Sequence, residues 1–146
     1  MRSQRDRDAI REALNDGTID AICSDHTPVD DDEKLLPFGE ASPGATGLEL
    51  LLSLALKWAD EHFSGKDKLS IALARITCDA ARVAGLSAGG LSIGSQADVC
   101  IFDPAIRWQV NDSAIVSQGK HTPFLGYELP GQVRYTIVSG RLAYTR

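Results

Sequence analysis

Apolar positions in the first 85 residues recur at helical spacing, whereas the chain beyond Gly85 turns to glycine-rich corners and short strands. Ser3 followed by Asp6 has the form of a capping box, and Ala9, Ile10, Ala13 and Leu14 then repeat every three or four positions until Gly17 offers a left-handed stop. This predicts an amphipathic helix over residues 5–15. The apolar run 19–23 reads as a short buried strand with Ser24, Asp25 and His26 at its C-terminal tip, the place where parallel α/β folds build their sites. Three prolines and two glycines between 27 and 46 predict a long loop. After it, Thr46 with Glu49 reads as a second capping box, opening a helix of about 16 residues whose apolar face carries Leu50, Leu51, Leu54, Ala55, Trp58 and Ala59. Residues 69–76 and 78–83 predict two shorter helices, with Thr77 capping the second and Gly85 ending it. Strands are predicted at 97–102 and 107–110, then as a hairpin, 133–138 and 141–144, around Ser139-Gly140.

Composition narrows the class. The 146 residues are 43% hydrophobic and 24% charged with a net charge of −5, the profile of a globular chain without the basic surplus that nucleic acid or an anionic membrane requires. The most apolar stretch, 48–56, is far shorter than the roughly 18 to 20 residues that cross a bilayer, and the mixed-charge N-terminus lacks the apolar core of a secretory signal. The cytoplasm is the expected compartment. Cys23, Cys78 and Cys100 are far apart within apolar runs, which predicts buried, reduced thiols.

Candidate chemistry is sparse. His26, His62 and His121 stand alone, with no His-x-His and no His-Glu-x-x-His, so no complete metal site is legible. The acidic run 30–33 lacks the alternating ligands and the glycine of a calcium loop and reads as a solvated face. Asp25 beside His26 is the strongest candidate. A carboxylate at a strand tip serves either as metal ligand and proton acceptor or simply as the cap of the following turn.

The run from Asp16-Gly17-Thr18-Ile19 into Ser24-Asp25-His26-Thr27-Pro28 resembles the last barrel strand of the dihydroorotases. The similarity continues through Glu33-Lys34, Gly47-Leu48-Glu49 and residues 72–77. It then passes through 91–104, a stretch typical of the β domain of the amidohydrolase superfamily, and on to 117–126 and 138–141. The resemblance implies an α/β fold: the C-terminal part of a TIM-barrel amidohydrolase over residues 1–87, followed over 88–146 by a small β unit from the composite β-sandwich domain.

It also implies a function. Dihydroorotases are zinc enzymes that interconvert dihydroorotate and N-carbamoyl-aspartate in pyrimidine biosynthesis. By the resemblance Asp25 is both a zinc ligand and the general base, with the remaining ligands upstream of Met1, so this chain alone is expected to hold no metal stably and to be inactive. The backbone of Pro43 and Gly44 falls where the family lines its substrate. One departure opens an alternative: Val29 stands where the family commonly has a histidine that grips the substrate carboxylate, and valine offers neither charge nor hydrogen bond. The second reading is a non-catalytic dihydroorotase-like subunit that scaffolds aspartate carbamoyltransferase. In both readings the uncovered barrel edge is expected to drive homo-oligomerisation.

Overall fold

The computed structural model describes residues 3–146. Helices come first: α1 (Gln4–Asn15), α2 (Asp31–Lys34), a 3-10 turn (Leu48–Leu50) running into α3 (Leu51–His62), then α4 (Lys68–Ile76) and α5 (Cys78–Val83). Strands β1 (Val99–Gln109), β2 (Glu128–Val138) and β3 (Arg141–Thr145) follow and form one antiparallel sheet in the order β1-β2-β3. Among the described residues no helix is long and apolar enough to cross a membrane.

Local signals explain most of these elements. The Ser3 hydroxyl accepts from the Asp6 amide at 3.2 Å while the Asp6 carboxylate accepts from the Ser3 amide at 3.1 Å, the reciprocal box expected at the start of α1. The β2–β3 hairpin turns at Ser139-Gly140 with φ of 50° and 76°, the two positive values of a type I′ turn. Asp98 supports that turn by accepting from the Ser139 amide at 2.7 Å.

Four expectations are corrected. Residues 19–23 join no ladder; the Ile19 amide donates to the Ala13 carbonyl and the Ile22 amide to the Arg75 carbonyl, because the described residues place no strand beside them. The strands expected at 97–102 and 107–110 are one strand, β1. Pro104 lacks an amide donor, and the register shifts between Asp103 and Arg107, yet pairing with β2 resumes on the far side. Thr77 does not cap α5: its hydroxyl donates back to the Leu73 carbonyl in α4. The three cysteines are free, as expected, but exposed. Cys23 lies on the unpaired segment, Cys78 opens α5 and Cys100 is in β1, where partial desolvation pushes its thiol upward.

Helix α3 holds the two halves of the core together. On one side Ala55, Leu56, Trp58 and Ala59 pack with Leu14, Ala72 and Phe102. On the other, Leu50 meets Val110, Ile115 and Leu129. Between them the Trp108 indole donates to the Ser53 hydroxyl and to the Gly131 carbonyl, and Ser53 donates to that same carbonyl, so the polar atoms at the helix–sheet junction satisfy one another. Leu50 is 0% exposed, as are Val110 and Leu129. Leu50→Ala is expected to lower unfolding free energy by about 2–5 kcal/mol, read as a reduced urea midpoint.

Candidate active site

Asp25 sits where the unpaired segment leaves the helices. Its side chain is exposed and its backbone is left-handed, φ 45°, a conformation that costs a non-glycine residue roughly 1–3 kcal/mol unless its surroundings fix it. Aspartate tolerates that region better than most residues.

The surroundings do fix it. His26 Nδ1 accepts the amide hydrogens of Gly47 and Leu48, both at 3.2 Å, and thereby serves two donors at the start of the 3-10 turn. Gly47 also needs its missing side chain, since a Cβ there would stand 2.8 Å from the Ser24 carbonyl oxygen. Further along, the Thr27 amide donates to the Ala45 carbonyl at 3.0 Å.

The loop 27–46 is fastened by side chains. Lys34, at the end of α2, donates to the carbonyls of Ser42 and Gly44. Gly44 has φ 126° and lies so close to Thr27 and Val29 that a Cβ would fall 2.5 Å from the Thr27 carbonyl oxygen and 2.9 Å from a Val29 methyl. The Val29 side chain thus packs on Gly44, while its backbone lies against Gly119. Pro43 is exposed beside it.

The second capping box does not form. The Thr46 hydroxyl donates to the Gly119 carbonyl, the Thr46 amide donates to the His121 carbonyl at 2.8 Å, and Glu49 Oε1 accepts from both the amide and the hydroxyl of Ser117 at 2.7 Å. Both residues have turned from their own helix to a segment some seventy positions away, whose irregular backbone offers donors and acceptors that no ladder satisfies. Lys34, Thr46, Glu49 and Ser117 are therefore the structural residues of the site that sequence reasoning misses or misassigns. His62 and His121 lie elsewhere: His62 Nδ1 is 2.8 Å from the Trp58 carbonyl oxygen at the end of α3, and the His121 side chain is exposed.

A cavity of about 430 Å³ opens between α3 and the sheet, but Asp25, His26, Pro43 and Gly44 do not line it. Its wall is mostly apolar, and the candidate chemistry is outside it. Nor do the described residues bring three or more His, Cys, Asp or Glu side chains together. Asp25 is one carboxylate, and the donor set present does not fit a zinc ion, which takes about four ligands.

Burial would raise the Glu49 carboxyl, but donation from the Ser117 hydroxyl and amide more than offsets it and holds the group below its usual range. A lowered folded value contributes stability above the unfolded pKa, and that contribution disappears as pH falls through the folded value. Glu49→Gln is therefore expected to cost on the order of 1 kcal/mol at pH 7. The gap between the two urea midpoints should begin to narrow below about pH 4.3 and close only as pH falls through the lower folded value; a gap that persists unchanged at low pH would exclude the carboxylate as its source.

A model described as "Amidohydrolase family" matches residues 2–144. Dihydroorotase from Geobacter metallireducens is 41% identical over 146 residues, which is 100% of this chain and 34% of that protein. A protein named "Dihydroorotase-like protein" from Pseudomonas aeruginosa is 40% identical over 144 residues, 99% of this chain and 33% of its own length. Among solved structures, D-hydantoinase (dihydropyrimidinase) from Thermus sp. superposes with a TM-score of 0.83 at 24% identity, covering 99% of this chain and 32% of that one. L-hydantoinase (dihydropyrimidinase) from Arthrobacter aurescens gives 0.80 at 29% identity over 98% and 32%. The chain spans about a third of the length of the curated relatives it matches, and its α/β arrangement of helices and small sheet is the corresponding third of the hydantoinase fold. On sequence and fold together, the chain belongs to the amidohydrolase family.

Proposed function

We propose that this chain forms part of a dihydroorotase-like hydrolase acting on the cyclic amide that relates dihydroorotate to N-carbamoyl-aspartate, a step of pyrimidine biosynthesis in the cytoplasm. The observation that carries the reading is 41% identity to a dihydroorotase across the whole chain. It is supported by the exposed Asp25, held in a left-handed backbone. In this reading Asp25 accepts the proton of the water that attacks the amide carbonyl, the ring C–N bond breaks, and the leaving nitrogen takes up a proton. Pro43 and Gly44 contribute backbone contacts to the substrate, although Lys34 already donates to the Gly44 carbonyl. Zinc belongs to the reading as the family's metal, with Asp25 as the one ligand this chain provides.

The alternative, a silent subunit that scaffolds aspartate carbamoyltransferase, is favoured by one feature. Val29 is packed against Gly44 where a substrate-gripping group is expected, which removes a charge-assisted bond worth about 1.5–3 kcal/mol. Exposed apolar side chains, Leu35 at 84%, Phe38 at 100% and Ile93 at 108%, support self-association in either reading.

Four measurements test the proposal. The 146-residue chain alone should show no dihydroorotate turnover and should retain no stoichiometric zinc after chelator treatment. Turnover that vanishes in Asp25→Ala would overturn that expectation. In a full-length amidohydrolase carrying this segment, Asp25→Asn should abolish hydrolysis, because an amide does not accept the proton; unchanged turnover would remove Asp25 from the reaction. If instead the wild-type protein turns nothing over and aspartate carbamoyltransferase co-purifies with it, the scaffold reading holds.

A further inference from the structure

The turn that presents Asp25 is gripped on both flanks by the start of the same helix. On the N-terminal flank the Ser24 carbonyl lies against Gly47, at a distance that leaves no space for a Cβ. On the C-terminal flank the His26 ring receives the Gly47 and Leu48 amides. Asp25, between two anchored neighbours, has φ 45°.

We propose that His26 is the positioning residue of this site, its Nδ1 acting as a bifurcated acceptor that ties the Asp25 turn to the helix start at Gly47 and Leu48. The role rests on the reading of Asp25 as the reacting carboxylate, and His26 acts through it without touching the substrate. Accepting two amide hydrogens requires an Nδ1 without a proton, which leaves the ring N–H on Nε2. The donors it serves belong to a helix start, where amides have no partner within the helix. The same turn continues into Leu50, 0% exposed in the core, and Glu49, bonded to Ser117, so the anchor to which His26 binds is itself fixed.

The acceptor is what the geometry requires, and Asn places Oδ1 where His places Nδ1, whereas Phe keeps the ring and removes the acceptor. Three spectroscopic results on the isotopically labelled chain at pH 8 decide the matter. Wild-type His26 should show an unprotonated Nδ1 and a protonated Nε2; the opposite tautomer overturns the proposal without any substitution. In His26→Phe, hydrogen exchange at the Gly47 and Leu48 amides should accelerate about tenfold or more. The strong intraresidue amide-to-Hα cross-peak that marks a positive φ should also weaken at Asp25. In His26→Asn both should stay near wild type, exchange within about twofold. A His26→Phe chain that keeps helical circular dichroism, slow exchange and the Asp25 cross-peak overturns the proposal. If His26→Phe does not fold, the wild-type tautomer and the Asn variant decide.

In a full-length amidohydrolase carrying the segment, the proposal further expects kcat for dihydroorotate to fall in His26→Phe with KM little changed, and to recover in His26→Asn. Turnover insensitive to Asp25→Asn would defeat the reading of Asp25, whereas the tautomer and exchange rates would still decide whether His26 anchors the turn.

Discussion

Backbone groups need partners, and between residues 19 and 47 no strand ladder provides them. That requirement shapes the whole candidate site. Isolated backbone bonds, such as Thr27 to Ala45 and Thr46 to His121, are joined by side chains: His26 takes two amide hydrogens, Lys34 reaches two carbonyls, Thr46 bonds to Gly119 and Glu49 receives Ser117. The bonds from His26, Thr46 and Glu49 join parts of the chain that are distant in sequence, so the conformation around Asp25 is a tertiary property.

Helix α3 and the turn that precedes it are the common anchor. The first residues, from Gly47 to Glu49, grip the Asp25 turn on one side and the 117 segment on the other. A turn later Ser53 joins Trp108 and Gly131, and Leu50 and Leu56 enter the two clusters of the core. The rigidity of the sheet junction is thereby passed to the carboxylate by a short run of covalent and hydrogen-bonded contacts. A strained φ at Asp25 persists because neighbours on both sides are held.

How much of this is legible in the sequence depends on the range of the interaction. The Ser3–Asp6 box and the Ser139-Gly140 hairpin are decided within four residues, and the residues alone identify them. Thr46 and Glu49 have the spacing of a box as well, yet the 117–119 backbone outcompetes the local partner. Residues 19–23 have a strand's composition but need a neighbour that the described residues do not provide. The same absence leaves Cys23 exposed instead of buried. At the site, Asp25 is recognisable from its position after an apolar run and from family resemblance, whereas the part played by His26, and the reason Gly44 and Gly47 are glycines, depend on close approaches that only the folded chain displays.

The central claim is that the Asp25 segment, though irregular, belongs to the same cooperative unit as α3. Native-state hydrogen exchange measures this directly at the amides of Thr27, Thr46 and Ser117, which donate to the Ala45 carbonyl, the His121 carbonyl and Glu49. Opening free energies and denaturant dependences matching those of the central amides of α3 are the expected result. Rapid exchange at those three amides by local, denaturant-independent opening, while α3 remains protected, would contradict the account.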